Sequence, residues 1–279
     1  MLSVATLLVA GCAATGGSQD RTERALEDVD VIAEAGLDEV MLSVADPAEA
    51  VSYFRNAAED DPDNIELQRK LAKALVRAER PREAVTVWAQ VTAHPDSAPQ
   101  DGVGHAGALI RINRWDEAAE VLEEIPPTHE THERYRLEAM VADSREDWER
   151  ADSFYETAAG LTTQPSGVLN NWGYSKLTRG EHAEAERLFT EALSYDRDLF
   201  TAKNNLVLAR AAQRRYDLPV VPMTQIERAQ LLHTMALGAI RQDDVATGRG
   251  LLQEAVDTHP RHFEEAARAL RALESNVTN

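Results

Sequence analysis

The chain has 279 residues, 48 Asp and Glu against 29 Lys and Arg, and a formal net charge of −19 at pH 7. No block of Lys or Arg is dense enough to neutralise several phosphates, so nucleic acid is not an expected ligand. Aromatic residues make up 5% of the chain while alanine and leucine abound, which suits helix packed on helix better than sheets.

Met1 to Gly11 carries no charged side chain, has an apolar run from Val4 to Ala10, and leads into Leu8-Val9-Ala10-Gly11-Cys12. This end resembles a bacterial lipobox, in which small residues before a cysteine admit the lipidating and cleaving enzymes. The resemblance implies that residues 1–12 hold a lipoprotein signal peptide cleaved before Cys12, and that Cys12 is lipidated. It departs from a secretory signal in having no Lys or Arg ahead of the apolar run, which an upstream start codon would supply. Cys12 is the only cysteine, so an internal disulfide is excluded. The open alternative is a frayed apolar terminus with an incidental cysteine. The run is shorter than the ~20 residues of a transmembrane helix, so attachment would be by lipid. Ala13 and Ala14 follow, not the aspartate that holds many Gram-negative lipoproteins at the inner membrane, which implies the outer membrane, facing the periplasm. Residues 13–21 are small and polar and read as a flexible tether.

From Thr22 the pattern runs as helix pairs, an array predicted over 22–217. Ala50, Ala84, Ala118, Ala151 and Ala185 recur 34, 34, 33 and 34 residues apart. The first, second and fifth open a similar code, as in Ala50…Phe54…Ala57 and Ala185…Phe189…Ala192, where a small residue lets helices approach and an aromatic fills the groove one turn on. Asp46-Pro47 is a helix start, and Asp61-Pro62-Asp63-Asn64 a break. Leu67, Leu71, Ala72 and Leu75 give the next apolar face, and Pro81 starts its partner. Ala106 and Leu109 precede Trp115, Ala118 and Leu122, with Pro126-Pro127 as the stop. A further pair runs from about Glu133 through Trp148, Ala151 and Tyr155. In the next, Gly173 would allow close helix approach and Gly180 would supply the backbone angles of a turn. Asn204 to Ala209 then reads as a first helix whose partner is replaced by the interruption 218–223, where Pro219 and Pro222 forbid regular helix. Residues 224–279 carry a final pair, with Gly248, Leu252 and Ala255 on its second helix, and a terminal amphipathic helix from Phe263 to Leu273.

The period and the run Leu169-Asn170-Asn171-Trp172-Gly173…Ala185…Phe189…Ala192 resemble the tetratricopeptide repeat. The fold class implied is all-α: a right-handed superhelical solenoid of antiparallel helix pairs with a C-terminal capping helix. A sharper resemblance joins the lipobox and the acidic array to three segments: Gly180-Glu181-His182-Ala183-Glu184-Ala185-Glu186-Arg187-Leu188-Phe189, the break from Leu218 to Pro222, and Glu227-Arg228-Ala229-Gln230-Leu231-Leu232…Gly250-Leu251-Leu252-Gln253-Glu254-Ala255-Val256-Asp257. Together these are similar to TadD-type lipoproteins of the tight-adherence (Flp) pilus assembly system. That family implies an outer-membrane scaffold or pilotin-like protein that helps assemble or localise the secretin. The alternative is a lipoprotein adaptor for outer-membrane barrel assembly or cell-wall hydrolases.

Catalytic signatures are poor, so no enzyme, cofactor or small-molecule substrate is expected. His129-Glu130-Thr131-His132 lacks the i, i+4 histidine pair of a zinc helix, and Asp60, Asp61 and Asp63 are interrupted by Pro62, so no metal site is expected. Asp217, Thr224 and His233 near the break form no recognised constellation. Partner binding is better served. Arg69, Lys73 and Arg77 fall at i, i+4, i+8 on a first helix and would form a positive stripe, extended by Arg111. Asn170, Tyr174 and Asn204 would lie further along the same groove. The stripe could clamp a partner's carboxylates. Its alternative is a set of solvated side chains, or pairs with Glu66 and Glu79.

Overall fold

A computed structural model describes residues 36–277. The lipobox with Cys12, the tether and the residues up to 35 lie outside the described residues. The chain divides between Ser97 and Ala98 into two compact units. The first holds a helical stretch over 36–43 and then α1 (Pro47–Asp60), α2 (Ile65–Arg77) and α3 (Pro81–Ala93). The second holds α4 (Pro99–Arg111), α5 (Trp115–Glu123), α6 (His132–Ser144), α7 (Trp148–Gly160), α8 (Ser166–Thr178), α9 (His182–Tyr195), α10 (Phe200–Ala212), α11 (Gln225–Arg241), α12 (Val245–Thr258) and α13 (Glu264–Val277). No strand occurs among the described residues, and none of their helices is long and apolar enough to cross a membrane.

Among the described residues one turn is repeated at six places. Glu79, Asn113, Glu146, Gly180, Arg214 and Asp243 all have positive φ, between 56° and 80°. Each closes a first helix with the same two bonds. The residue after it donates back to the carbonyl five before, as Arg80 N to Leu75 O at 2.9 Å and Asp147 N to Ala142 O at 3.0 Å, while its own N–H reaches the carbonyl three before. This is the Schellman ending, which satisfies carbonyls that a helix terminus leaves open. Gly180 behaves as expected at φ 80°. The other five turns carry side chains in a region that favours glycine; Asn113 and Asp243 are types that tolerate it, while Glu79, Glu146 and Arg214 give no hint of it.

Five residues beyond each left-handed residue stands the contact that closes the pair. Ala84, Ala118, Ala151 and Ala185 sit there, each fully buried, as is Ala50 at the start of α1. The spacing arises because turn and packing contact are one rigid unit. At the last turn the position is Gly248, where a Cβ would come within 2.4 Å of Ile240 Cγ1 and 3.1 Å of the Ala236 carbonyl. Gly173 is similarly confined, since a Cβ would fall 2.7 Å from the Phe189 ring. At the fifth turn the position is Pro219, which is buried, and no second helix follows α10. Residues 215–224 take that helix's place: Val221 packs against the core of α8, α9 and α10, and Leu218 and Met223 against that of α10 and α11. Helix α11 restarts with a capping box in which Thr224 Oγ1 accepts from Glu227 N and Glu227 accepts from Thr224 N. Lys203, 1% exposed, pairs with the same Glu227 at 3.0 Å and fixes α10 to this new start.

The two glycines of α12 are expected to respond oppositely to the same change. Gly248→Ala should cost about 1–3 kcal/mol by overpacking. Exposed Gly250, with nothing within 4 Å of its would-be Cβ, should gain about 0.5–1 kcal/mol as alanine through helix propensity. Chemical denaturation of both single variants checks this, and equal shifts would mean that α12 is rotated from the described packing.

Candidate functional site

The first helices of the second unit present a groove of about 520 Å³. Helix α6 contributes Met140, Asp143 and Ser144, α8 contributes Asn170, Asn171, Tyr174, Ser175 and Thr178, and α10 contributes Phe200, Thr201, Asn204 and Asn205. Trp115 and Trp148, which open α5 and α7, and Tyr155 complete it. Residues on one helix face recur every three to four positions, which is why Asn170, Tyr174 and Thr178 appear together. Neighbouring repeats place equivalent residues side by side, and Asn170 and Asn204 each stand ten residues before the left-handed residue of their turn, Gly180 and Arg214.

The asparagines are oriented by their own contacts. Asn170 Oδ1 accepts from Asn205 Nδ2 at 3.1 Å, and Asn204 Oδ1 accepts from Thr234 Oγ1 at 2.8 Å. Each amide oxygen is therefore engaged within the protein, and the two NH2 groups have no acceptor among the described residues. Two donors one repeat apart are suited to the carbonyls of an extended polypeptide. Beside them Tyr174 is 54% exposed and offers a broad amphipathic surface.

Below the lining, two polar networks hold the helices. Tyr155 OH donates to Asp143 Oδ2 at 2.8 Å and Ser175 Oγ to Asp143 Oδ1 at 2.6 Å. Burial pushes the Asp143 carboxyl up, against the pull of these two hydroxyls, and burial likewise raises the Tyr155 phenol well above its ordinary value. The charge of Asp143 is thus spent on hydroxyls within the protein. The second network centres on Asp152 of α7. Its carboxylate accepts from Trp172 Nε1 at 2.7 Å, Lys176 Nζ at 2.8 Å and Arg179 Nη2 at 2.6 Å, all from α8 or the turn after it. Arg179 also lies over the Trp148 ring at 5.2 Å, so one guanidinium fixes both the ion pair and a groove wall. Burial alone would raise the Asp152 carboxyl, but the hydrogen bonds from Arg179, Lys176 and Trp172 outweigh it and hold it below its ordinary value.

Of the residues expected to bind a partner, Asn170, Tyr174 and Asn204 are brought together in this groove. Arg69, Lys73 and Arg77 belong to the first unit, on α2. Arg69 pairs with Glu66 and donates to the Asp96 carbonyl at 3.0 Å. Arg77 donates to the carbonyls of Met41, at 2.9 Å, and Ala45. Only Lys73 of the three is an exposed cation with no partner among the described residues. Arg111 is exposed at the end of α4 in the second unit. The lining residues Asn171, Asn205, Trp115, Trp148 and Phe200 were not singled out from sequence as groove residues. The 34-residue separation of the Asn170-Asn171 and Asn204-Asn205 pairs was the available signal. His129 lies 3.1 Å from Gln100, and no group of three or more His, Cys, Asp or Glu among the described residues is arranged to hold a metal.

Residues 41–100 match the tetratricopeptide repeat family. No curated protein matches the sequence. Among solved structures, this chain is similar to the APC/C hetero-tetramer Cut9-Hcn1, with a TM-score of 0.60 at 14% identity over 86% of this chain and 47% of that one. It therefore spans about half the length of that relative. A tetratricopeptide repeat protein from Parabacteroides merdae matches with a TM-score of 0.56 at 12% identity over 90% of this chain and 98% of that one. The human IFIT1 dimer with PPP-AAAA matches with a TM-score of 0.58 at 14% identity, over 81% and 59% respectively. At these identities the likeness concerns the fold alone, an all-α solenoid like that of tetratricopeptide repeat structures.

Asp152 is expected to carry a measurable pH signature. Its folded value lies below that of the unfolded chain, so its contribution to stability is full above the unfolded value and is lost as pH falls through the folded one. Asp152→Asn should cost about 1–3 kcal/mol at pH 7 by leaving buried Lys176 and Arg179 underpaired. The gap to the parent should narrow as pH falls below the ordinary carboxylate value and through the depressed folded one, where the parent carboxylate also protonates. Urea titrations at pH 7, 5 and 3 read this directly, and a gap constant with pH would remove the ion pairs as its source.

Proposed function

We propose that this chain is a protein-binding scaffold, held at the outer membrane by lipid on Cys12 and facing the periplasm, that assists secretin assembly or localisation in tight-adherence (Flp) pilus biogenesis. It acts by binding and not by catalysis. The observation that carries the binding role is the groove over α6, α8 and α10: two amide donors one repeat apart, flanked by tryptophan, phenylalanine and an exposed tyrosine. Such a surface can hold an extended chain through its carbonyls and bury its side chains against aromatic walls. The pilus assignment is supported by the sequence resemblance in the lipobox, the 180–189 segment, the proline break and the C-terminal pair. A pilotin-like role fits these features together, since a lipid anchor localises the protein while the repeat surface selects the partner.

Two measurements test this reading. Tyr174→Ala with Asn204→Ala should weaken capture of a tight-adherence pilus secretin by roughly tenfold or more, because both side chains face the groove and central aromatics dominate binding energy. Helicity should be unchanged by circular dichroism, given the exposure of Tyr174. Failure of the parent to capture any secretin would sink the pilus assignment and favour an adaptor for barrel assembly or cell-wall hydrolases. Cys12→Ser should release the protein from the outer-membrane fraction, since acyl chains contribute about 0.8 kcal/mol per buried CH2. Unchanged fractionation would remove the lipid anchor from the scheme.

A further inference from the structure

The register that aligns Asn170 with Asn204 extends one repeat earlier to Arg136, ten residues before the left-handed Glu146. Arg136 lies one helical turn from Met140, which lines the groove, so both share a face of α6. Its guanidinium has no hydrogen bond or ion pair among the described residues. Other arginines nearby are engaged: Arg134 with Glu138, Arg145 with Asp116, and Arg179 with Asp152.

The surroundings of Arg136 make this state costly. Burial pushes the guanidinium down, and Arg111, on the neighbouring first helix, adds like-charge repulsion. Glu133 acts in the opposite direction, but its carboxylate already accepts from Gln100 Nε2 at 2.7 Å. A half-buried cation beside a second cation, in a chain of net charge −19, is the arrangement expected where an anion is to be bound. A polyanion is disfavoured, because two guanidinium groups cannot offset its repulsion from the acidic protein.

We propose that the groove takes an extended acidic peptide, with an Asp or Glu side chain set against Arg136 and flanked by Arg111, and the uncharged residues next to it running along Asn170 and Asn204. This rests on the protein-binding reading above and adds the chemistry of the partner. The carboxylate belongs to a side chain and not to the chain's end, because Arg111 beyond it is exposed and leaves the peptide room to continue. The amide donors then read main-chain carbonyls, while the Arg pair fixes register by a single charge.

The probe is an array of randomised octapeptides, acetylated and amidated so that neither end is charged, with each acidic sequence also present as its Asn or Gln analogue. The full-length parent should select peptides with one acidic position followed by uncharged ones. Replacing that acid by its amide should weaken binding about ten- to a hundredfold, the range for losing a hydrogen bond to a charged group. Arg136→Gln should abolish the acidic preference while keeping the choice of uncharged residues, and Arg136→Lys should retain part of it. Matched circular dichroism and melting of the variants exclude misfolding as the cause. Selection without acidic preference, or a preference unchanged in Arg136→Gln, would overturn the proposal and leave the groove as a neutral peptide site. Selection of acids only when the C-terminus is free would overturn the side-chain assignment. Absence of any selected peptide, or capture of a short single-stranded RNA in its place, would overturn both this proposal and the protein-binding reading.

Discussion

The two helices of each pair meet at a small, buried alanine or glycine, and that contact sits a fixed five residues past a left-handed turn. Fixing the turn fixes the depth at which the second helix enters, and the small residue then sets the distance between the axes. The position is alanine in four of these pairs and glycine in the last, with proline where the second helix is missing. Gly248 shows the limit, since even a Cβ would collide with Ile240. Because the turn bonds and the close contact are repeated, the first helices of successive pairs in the second unit lie beside one another with equivalent positions aligned. The groove is a product of that alignment. No single segment encodes it.

The groove's chemistry follows from where charge has been used up. Asp143 spends its carboxylate on Tyr155 and Ser175, and Asp152 satisfies Trp172, Lys176 and Arg179. These networks are buried enough that leaving any member unpaired would be costly, so they also lock the side chains above them. Arg179 joins the two functions, pairing with Asp152 while covering Trp148. What faces outward is therefore amide and aromatic, and further along the row stands Arg136, without a hydrogen bond or ion pair among the described residues, with exposed Arg111 beyond it. A surface of this kind discriminates by position as well as by attraction, since the charged contact is available at one place along the row.

The helix pairs were legible because the small-residue contact leaves a visible imprint, and the proline break because two prolines cannot be hidden in a helix. The turns were legible at Gly180 alone, as Glu79, Asn113, Glu146, Arg214 and Asp243 adopt the same backbone without glycine's signature. Tertiary packing overrides local preference at Glu79, Glu146 and Arg214. Asn170, Tyr174 and Asn204 could be found by following one helix face, whereas Trp115 and Trp148 enter the groove from the starts of second helices, which face counting on first helices does not reach. For Arg69 and Arg77 the acceptors include the backbone carbonyls of Asp96, Met41 and Ala45, groups that every residue possesses. A periodic run of cations therefore says nothing about whether its charge is free until the chain around it is placed.

The interruption after α10 shows how a repeat can lose a helix without losing its core. Pro219 occupies the small-residue position, and Leu218, Val221 and Met223 supply the apolar surface that a second helix would have offered. What cannot be supplied by these side chains is the backbone of a helix, so the restart at Thr224 must be positioned otherwise. The buried Lys203 does this by pairing with Glu227, which is at once the third residue of the new helix and the partner of its cap. Glu227 is held below its ordinary value chiefly by the Thr224 N–H, with Lys203 adding to it. An ion pair buried on one side is weak as a source of net stability and strong as a determinant of register. Here it sets where α11 begins, and so fixes Thr234, the hydroxyl that orients Asn204 in the groove.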